Sequence, residues 1–302
     1  MANHLKSDIV HTCGSPDFLG VIAKKNCHQP VVHEIFDTYS LYDFDVRIRE
    51  TDSAHRGLIN GPLHLVQNRL NLKWEAQVHT DADALVFTSE EMMRKSLEMY
   101  GDFKSIVIPN GVLRSQLPSS RRPKLSLLDG RIHCVYLGAI GGGLAHRMIV
   151  PQIREVVSHD HVTLHLYPTT TGAERELSQV DDLITSGHIV VHTPLHYSRL
   201  YEELTQYDLG LVLLNAADER LLDVALPNKI FEYAASGLPV AVPSYDSLVN
   251  FVSKFSCGFV IEDWSSGIVD NISNIKSVTF RDEFTIDFYL PSLIRLYEML
   301  VS

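Results

Sequence analysis

An α/β protein of two Rossmann-like domains with parallel sheets is predicted by three observations. Short apolar runs alternate with helical segments, as in Asp8–Thr12 (DIVHT), Val31–Phe36 (VVHEIF) and Ala82–Ser89 (ADALVFTS). The chain has 302 residues, the length of two ordinary domains. A polar, basic stretch with two prolines, Leu113–Asp129, separates the two series of elements. The expected division is a first domain over 1–114, a linker over 115–130, a second domain over 131–285 and a closing helix over 286–302.

Each element has its own signal. After DIVHT, Ser15-Pro16-Asp17 opens a helix to about Lys25, with Asp17 at its start, and Gln29-Pro30 ends it. The strand VVHEIF runs into Asp37. In open α/β sheets ligands sit beyond the carboxyl ends of strands, which places His11, Cys13, Asp37 and Thr38 near a site; a polar loop cap is the plain alternative for each. Thr38–Pro62 reads as a long irregular loop with Tyr39, Tyr42, Arg47, Arg49, His55 and Arg56. Its arginines would suit an anionic acceptor or a membrane surface. A helix follows over Leu63–Thr80, with Trp74 read as core. ADALVFTS is a buried strand, and Ser89 caps a helix over Glu90–Tyr100 that Gly101 stops. Ser105–Ile108 is the next strand, and Pro109-Asn110-Gly111 a sharp turn.

The second series opens with the strand Ile132–Gly138 (IHCVYLG) and the glycine run Ala139–Gly143, in which Gly138, Gly141 and Gly142 would let a phosphate approach the backbone. No G-x-G-x-x-G pattern is present, which argues against a dinucleotide. Val162–Tyr167, Ile189–His192 and Asp208–Leu214 read as strands, and Leu200–Thr205 as a short helix after Tyr197. Leu226–Pro243 (LPNKIFEYAASGLPVAVP) reads as one helix and one buried strand. Pro227 suits the first turn, while Gly237 and Pro239 end the helix. Ile230, Phe231, Ala234 and Ala235 share one face; Lys229, Glu232, Tyr233 and Ser236 share the other. A cation in the first turn, beside Asn228 and the free N–H groups of the helix start, makes an anion site. Glu232, one turn deeper, could accept a pair of hydroxyls. That is the spacing of a nucleoside diphosphate and its ribose. The plain alternative is an i,i+3 surface pair worth a few tenths of a kcal/mol. Ser247–Ser256 is a helix, Cys257–Glu262 a late strand, and Asp287–Val301 an amphipathic closing helix.

Composition narrows the partners. Apolar residues make up 45% and charged residues 21%, as in a globular protein. A net charge of −11 argues against nucleic acid as the main partner. Cys13, Cys27, Cys134 and Cys257 are scattered without C-x-x-C spacing, which fits a reducing compartment and neither a disulfide framework nor a zinc site. There is no long apolar span and no signal-peptide pattern, so the expected location is cytoplasmic.

LPNKIFEYAASGLPVAV resembles the donor-site helix of glycosyltransferases of the GT-B fold, in the family 4-like group. Two further runs, ADALVFTSEEM…IVIPNGV and, more loosely, DIVHT…VVHEIFD, are similar to the first domain of that group. The resemblance implies a GT-B-like fold with a shortened first domain. It implies transfer, with retention and without an essential metal, of a sugar from a UDP- or GDP-sugar to a glycan or lipid-linked acceptor in polysaccharide or glycolipid assembly. No permanently bound cofactor is expected. Lys229 would meet the donor diphosphate and Glu232 the ribose; the loop at Tyr197 would meet the base. A basic residue often follows the glycine loop in relatives, here His146 or Arg147. The loop after DLGLVLL would close on the sugar, with Asn215, Asp218 and Glu219 as candidates. Two positions depart from the pattern. Val224 stands where many relatives have a second Glu, and Phe36 where many have a His, so Asp37 is left as the catalytic candidate of the first domain; His33 points the other way. These departures keep a second reading open: a nucleotide-sugar-binding module that needs a partner chain or a second copy, with peripheral contact to the inner face of a membrane.

Overall fold

The structure, a computed structural model, describes residues 7–14, 16–41, 57–141, 145–170, 172–215, 219–272 and 277–302. The chain divides into two compact units. The first takes 1–110, 218–226 and 287–302; the second takes 111–217 and 227–286.

The first unit is built on a parallel sheet of β1 (Val10–Cys13), β2 (Val31–Ile35), β3 (Ala84–Phe87) and β4 (Ser105–Val107), in the order β1-β2-β3-β4. β2 and β3 are apolar runs because helices cover both faces of a parallel sheet. Val31, Val32, Ile35 and all of β3 are buried. The helices are α1 (Phe18–Asn26), α2 (Gly57–Asp81) and α3 (Glu90–Tyr100). Ser89 caps α3 as its sequence predicts, accepting from the Met92 N–H at 3.0 Å, and its hydroxyl donates to the Val224 carbonyl at 2.6 Å. Val224 is thereby a core residue, packed with Ile35, Leu85, Phe87 and Met92. The closing helix, Leu290–Val301, packs on β4 within the same unit.

Two expectations are corrected here. A helical turn spans Tyr39–Leu41 and α2 begins at Gly57, so both fall within the range expected to be a loop and Pro62 lies inside the helix. A proline there removes one hydrogen bond, to the carbonyl of residue 58, and the helix continues around it. Tyr42, Arg47, Arg49, His55 and Arg56 lie outside the described residues, and Tyr39 is buried. Asp17 stands at the start of its helix as expected; its side chain makes no capping bond there, and its buried carboxylate sits 3.1 Å from His33 Nε2. Tyr233 and Ser236 are not on an open polar face: both are buried.

The second unit has a six-stranded parallel sheet. Its strands are β5 (Ile132–Gly138), β6 (Val162–Pro168), β7 (Ile189–Val191), β8 (Leu209–Leu211), β9 (Val240–Pro243) and β10 (Gly258–Ile261), in the order β10-β9-β8-β5-β6-β7. The chain reverses direction across the sheet between β5 and β8, the place where a doubly wound sheet opens a crevice at its carboxyl ends. The flanking helices α4 (Val150–Val156), α5 (Tyr197–Leu204), α6 (Asn228–Ala235) and α7 (Asp246–Phe255) cover the sheet, and the closing helix of the first unit follows as α8. The proline-rich stretch before β5 is docked on this unit. Leu125 N–H donates to Gln206 O at 3.0 Å, Arg122 N–H to Thr205 Oγ1 at 2.8 Å, and Ser126 Oγ to Asp208 Oδ1 at 2.8 Å.

Candidate functional site

The position of α6 is set by one tyrosine. The Tyr233 hydroxyl accepts from the Leu137 N–H at 2.8 Å, near the carboxyl end of β5, and lies 3.4 Å from the Leu211 carbonyl of β8. Its ring presses on Gly210: a Cβ there would meet the ring at 2.5 Å, so the central strand carries glycine where the helix approaches. This contact fixes α6 across the switch point and directs its first turn at the end of β5.

A cavity of about 360 Å³ opens there. Asn228, Lys229 and Glu232 of α6 line it, with Leu137 and Gly138 from the end of β5. Tyr167 and Thr169 contribute from the end of β6, and Pro194, Leu195, Tyr197 and Leu200 from the segment after β7. One side is therefore charged and the other largely apolar and aromatic.

The charged side is unpaired. Lys229 and Glu232 form neither an ion pair nor a side-chain hydrogen bond among the described residues, which removes the i,i+3 surface pair as an explanation of their spacing. The Lys229 ammonium lies 3.9 Å over the centroid of the Tyr136 ring. Gly138 makes room for it: φ is +144° and a Cβ would stand 2.8 Å from Nζ. Burial pushes the ammonium down to about 7; Glu232 opposes that shift and Arg147 adds to it. Burial likewise raises the Glu232 carboxyl, against the pull of Lys229. A half-buried cation with a second cation near it, no counter-ion and free helical N–H groups is suited to an anion of two or more charges.

The candidates from the sequence divide as follows. Gly138, Tyr197, Asn228, Lys229 and Glu232 come together on the one cavity. Tyr197 is 54% exposed at its rim, on the first turn of α5, which starts three residues before the expected Leu200. Gly141 is not on the lining. Its φ is +70°, its N–H donates to the Arg147 carbonyl at 2.8 Å, and a Cβ would lie 2.6 Å from Glu176 Cγ, so it shapes the loop. Gly142 and Asp218 lie outside the described residues, as does the side chain of Glu219. Asn215 holds the loop after β5 through Nδ2 to the Met148 carbonyl at 3.1 Å. Asp37 stands past the end of β2 in the first unit, half-buried. Also in that unit, His11 Nδ1 meets Tyr297 Oη at 2.5 Å, and His33 is enclosed between Thr12 and Asp17.

Tyr136, Tyr167 and Tyr233 were not singled out from the sequence as site residues. Strand alternation does put Tyr136 on the face of Gly138, two residues on. In a strand buried on both faces, that placement reads equally as core.

Residues 1–115 match the family Glycosyltransferase Family 4. Among solved structures the chain is similar to sucrose-phosphate synthase (tll1590) from Thermosynechococcus elongatus, at 13% identity and a TM-score of 0.71, over 99% of this chain and 75% of that one. It is similar to a glycosyltransferase from Rickettsia africae ESF-5, at 14% identity and a TM-score of 0.65, over 99% and 78% of the two chains. It is also similar to Anabaena Alr3699/HepE in complex with UDP, at 14% identity and a TM-score of 0.66, over 99% and 80%. No curated protein sequence matches this chain. At these identities the structural likeness concerns the fold.

Proposed function

We propose that this chain, whose residues 1–115 match Glycosyltransferase Family 4, is a glycosyltransferase that moves a sugar from a UDP- or GDP-sugar to a glycan or lipid-linked acceptor, with retention, in polysaccharide or glycolipid biosynthesis. The observation that carries this reading is the pair Lys229 and Glu232, which share one cavity at the switch point of the second sheet and, among the described residues, form no ion pair and no side-chain hydrogen bond. The diphosphate would lie against Lys229, Gly138 and the first turn of α6. The ribose hydroxyls would donate to Glu232, and the base would rest on the aromatic side at Tyr197. In the reaction the bond from the anomeric carbon to the diphosphate oxygen breaks as the bond to the acceptor oxygen forms, and the proton of the acceptor hydroxyl passes to the leaving diphosphate. Negative charge grows on the leaving diphosphate, and a cation already in place stabilises it with little reorganisation. Asp37, on the first unit, is the candidate for the acceptor side. The support from relatives is that Anabaena HepE is solved in complex with UDP and that TarM is solved with UDP and α-GlcNAc-glycerol.

The test is release of nucleotide from UDP- and GDP-sugars with and without acceptors. One donor class turned over by the wild type, and at least tenfold slower by Lys229→Ala, is the expected result. Turnover unaffected by that substitution would overturn the assignment.

Phe36 favours a second reading, since it occupies the place of a histidine in the resemblance. The chain would then bind the nucleotide sugar and need a partner chain for transfer. A monomer on size exclusion that transfers sugar by itself would exclude it.

A further inference from the structure

Three histidines form a chain of hydrogen bonds across the second sheet. His133 lies on β5, His165 on β6 and His192 just after β7. His133 Nε2 is 3.0 Å from Asp129 Oδ1, His133 Nδ1 is 2.9 Å from His165 Nε2, and His165 Nδ1 is 2.8 Å from His192 Nε2. Each gap holds one hydrogen. With a carboxylate at one end the tautomers follow in order: His133 donates from Nε2 to Asp129, His165 from Nε2 to His133, and His192 from Nε2 to His165.

The other end of the chain, His192, rests against a residue that lines the cavity. The His192 ring is stacked on Tyr167 with centroids 4.4 Å apart and planes 8° apart. Tyr167 lines the cavity, and its hydroxyl is held by Tyr207 Oη at 2.6 Å and Glu203 Oε1 at 3.3 Å. Tyr207 also packs on His165, at 4.8 Å between centroids. Apolar side chains would fill these strand positions at no cost in desolvation, so three linked imidazoles serve something other than packing.

We propose that His133, His165 and His192 are positioning residues for the donor cavity: their directional chain of hydrogen bonds orients the His192 ring, which in turn fixes the face of Tyr167 toward the nucleotide. The proposal rests on the reading of that cavity as the donor site. The charged and titratable groups around the chain are Asp129 at its outer end, Asp208 on the His133 backbone N–H at 2.9 Å, and Glu203 with Tyr207 beside Tyr167; Arg122 pairs with Glu203 at 2.5 Å. Burial pushes His165 down to about 3, with His192 and His133 adding to it, and lowers His192 too. His165 is therefore neutral at neutral pH, as the order of tautomers requires.

The test compares wild type with His165→Leu, which breaks the chain without touching Tyr167 or the cavity. The probe is whichever of UDP, GDP and ADP the wild type binds most tightly, titrated calorimetrically at pH 7.5. The expected result is about tenfold weaker binding by folded His165→Leu at pH 7.5. Equal affinity in the two folded proteins would overturn the proposal, since a structural role alone would move only the melting temperature. Nitrogen-15 spectra of the wild type need no variant. His165 and His192 neutral and protonated at Nε2 at pH 7 support the chain, and the other tautomer overturns it. Binding by the wild type that Lys229→Ala removes upholds the donor reading whatever His165→Leu does.

Discussion

Lys229 is held where its charge is costly: its ammonium lies against Tyr136 and Gly138, no carboxylate is paired with it, and its pKa is pushed down to about 7. A bound diphosphate would raise that value again, so binding and protonation of Lys229 are linked. Above pH 7 the free protein loses the proton that the complex keeps. Nucleotide affinity should then fall by up to about tenfold per pH unit as pH rises, until the pKa of the complex is reached. Calorimetry above pH 7 in buffers of different ionisation enthalpy should register net proton uptake on binding; none, with affinity flat from pH 7 to 9, would contradict the account of this residue. Stability has its own sign. The unfolded chain holds Lys229 at 10.5, so between 10.5 and about 7 the unfolded state binds more protons and this residue lowers stability as pH falls. Lys229→Met should therefore raise the melting temperature at pH 7 while abolishing nucleotide binding, a trade between stability and function that thermal unfolding can detect.

At the scale of the element, α6 is tied to the sheet by Tyr233 and admitted by Gly210. Tyr233→Phe leaves the buried Leu137 N–H without its acceptor and should cost about 1–3 kcal/mol. Gly210→Ala puts a methyl 2.5 Å from the Tyr233 ring and should cost about 1–3 kcal/mol by overpacking. Urea unfolding measures both, and a change under 0.5 kcal/mol in either would mean that the helix is held otherwise. The helix itself was legible: Pro227 and Gly237 bracket the observed Asn228–Ala235, and the spacing of Lys229 and Glu232 pointed at the cavity they share. The place of Tyr233 was not. Helical periodicity assigns its Cα to the polar side, but its hydroxyl reaches backbone groups of β5 and β8, and those strands come from distant sequence. The histidine chain was hidden for the same reason: His133, His165 and His192 are about thirty residues apart and meet only through strand register.

At the scale of the molecule, the alternation of strands and helices was enough to give two parallel sheets, because each apolar run must be covered by the helix that follows it. The order β10-β9-β8-β5-β6-β7 is set by which helix covers which face, and composition does not encode that. Nor did the linear division of the chain foresee that residues 218–226 belong with the first unit, where Val224 fills the core and accepts from Ser89. It follows that a fragment ending at residue 115 lacks part of its own core. Such a fragment should melt well below the full chain or show no cooperative transition in circular dichroism. A fragment as stable as the full chain would contradict the division into units. Among the described residues, no helix is long and apolar enough to cross a membrane. The central claim is that the second unit holds a nucleoside diphosphate on Lys229. Calorimetric titration of UDP, GDP and ADP into the wild type and Lys229→Ala tests it most directly. One nucleotide should bind the wild type at a ratio of one to one and bind the variant at least tenfold more weakly. Equal binding to both proteins, or no binding to folded wild type, would contradict it.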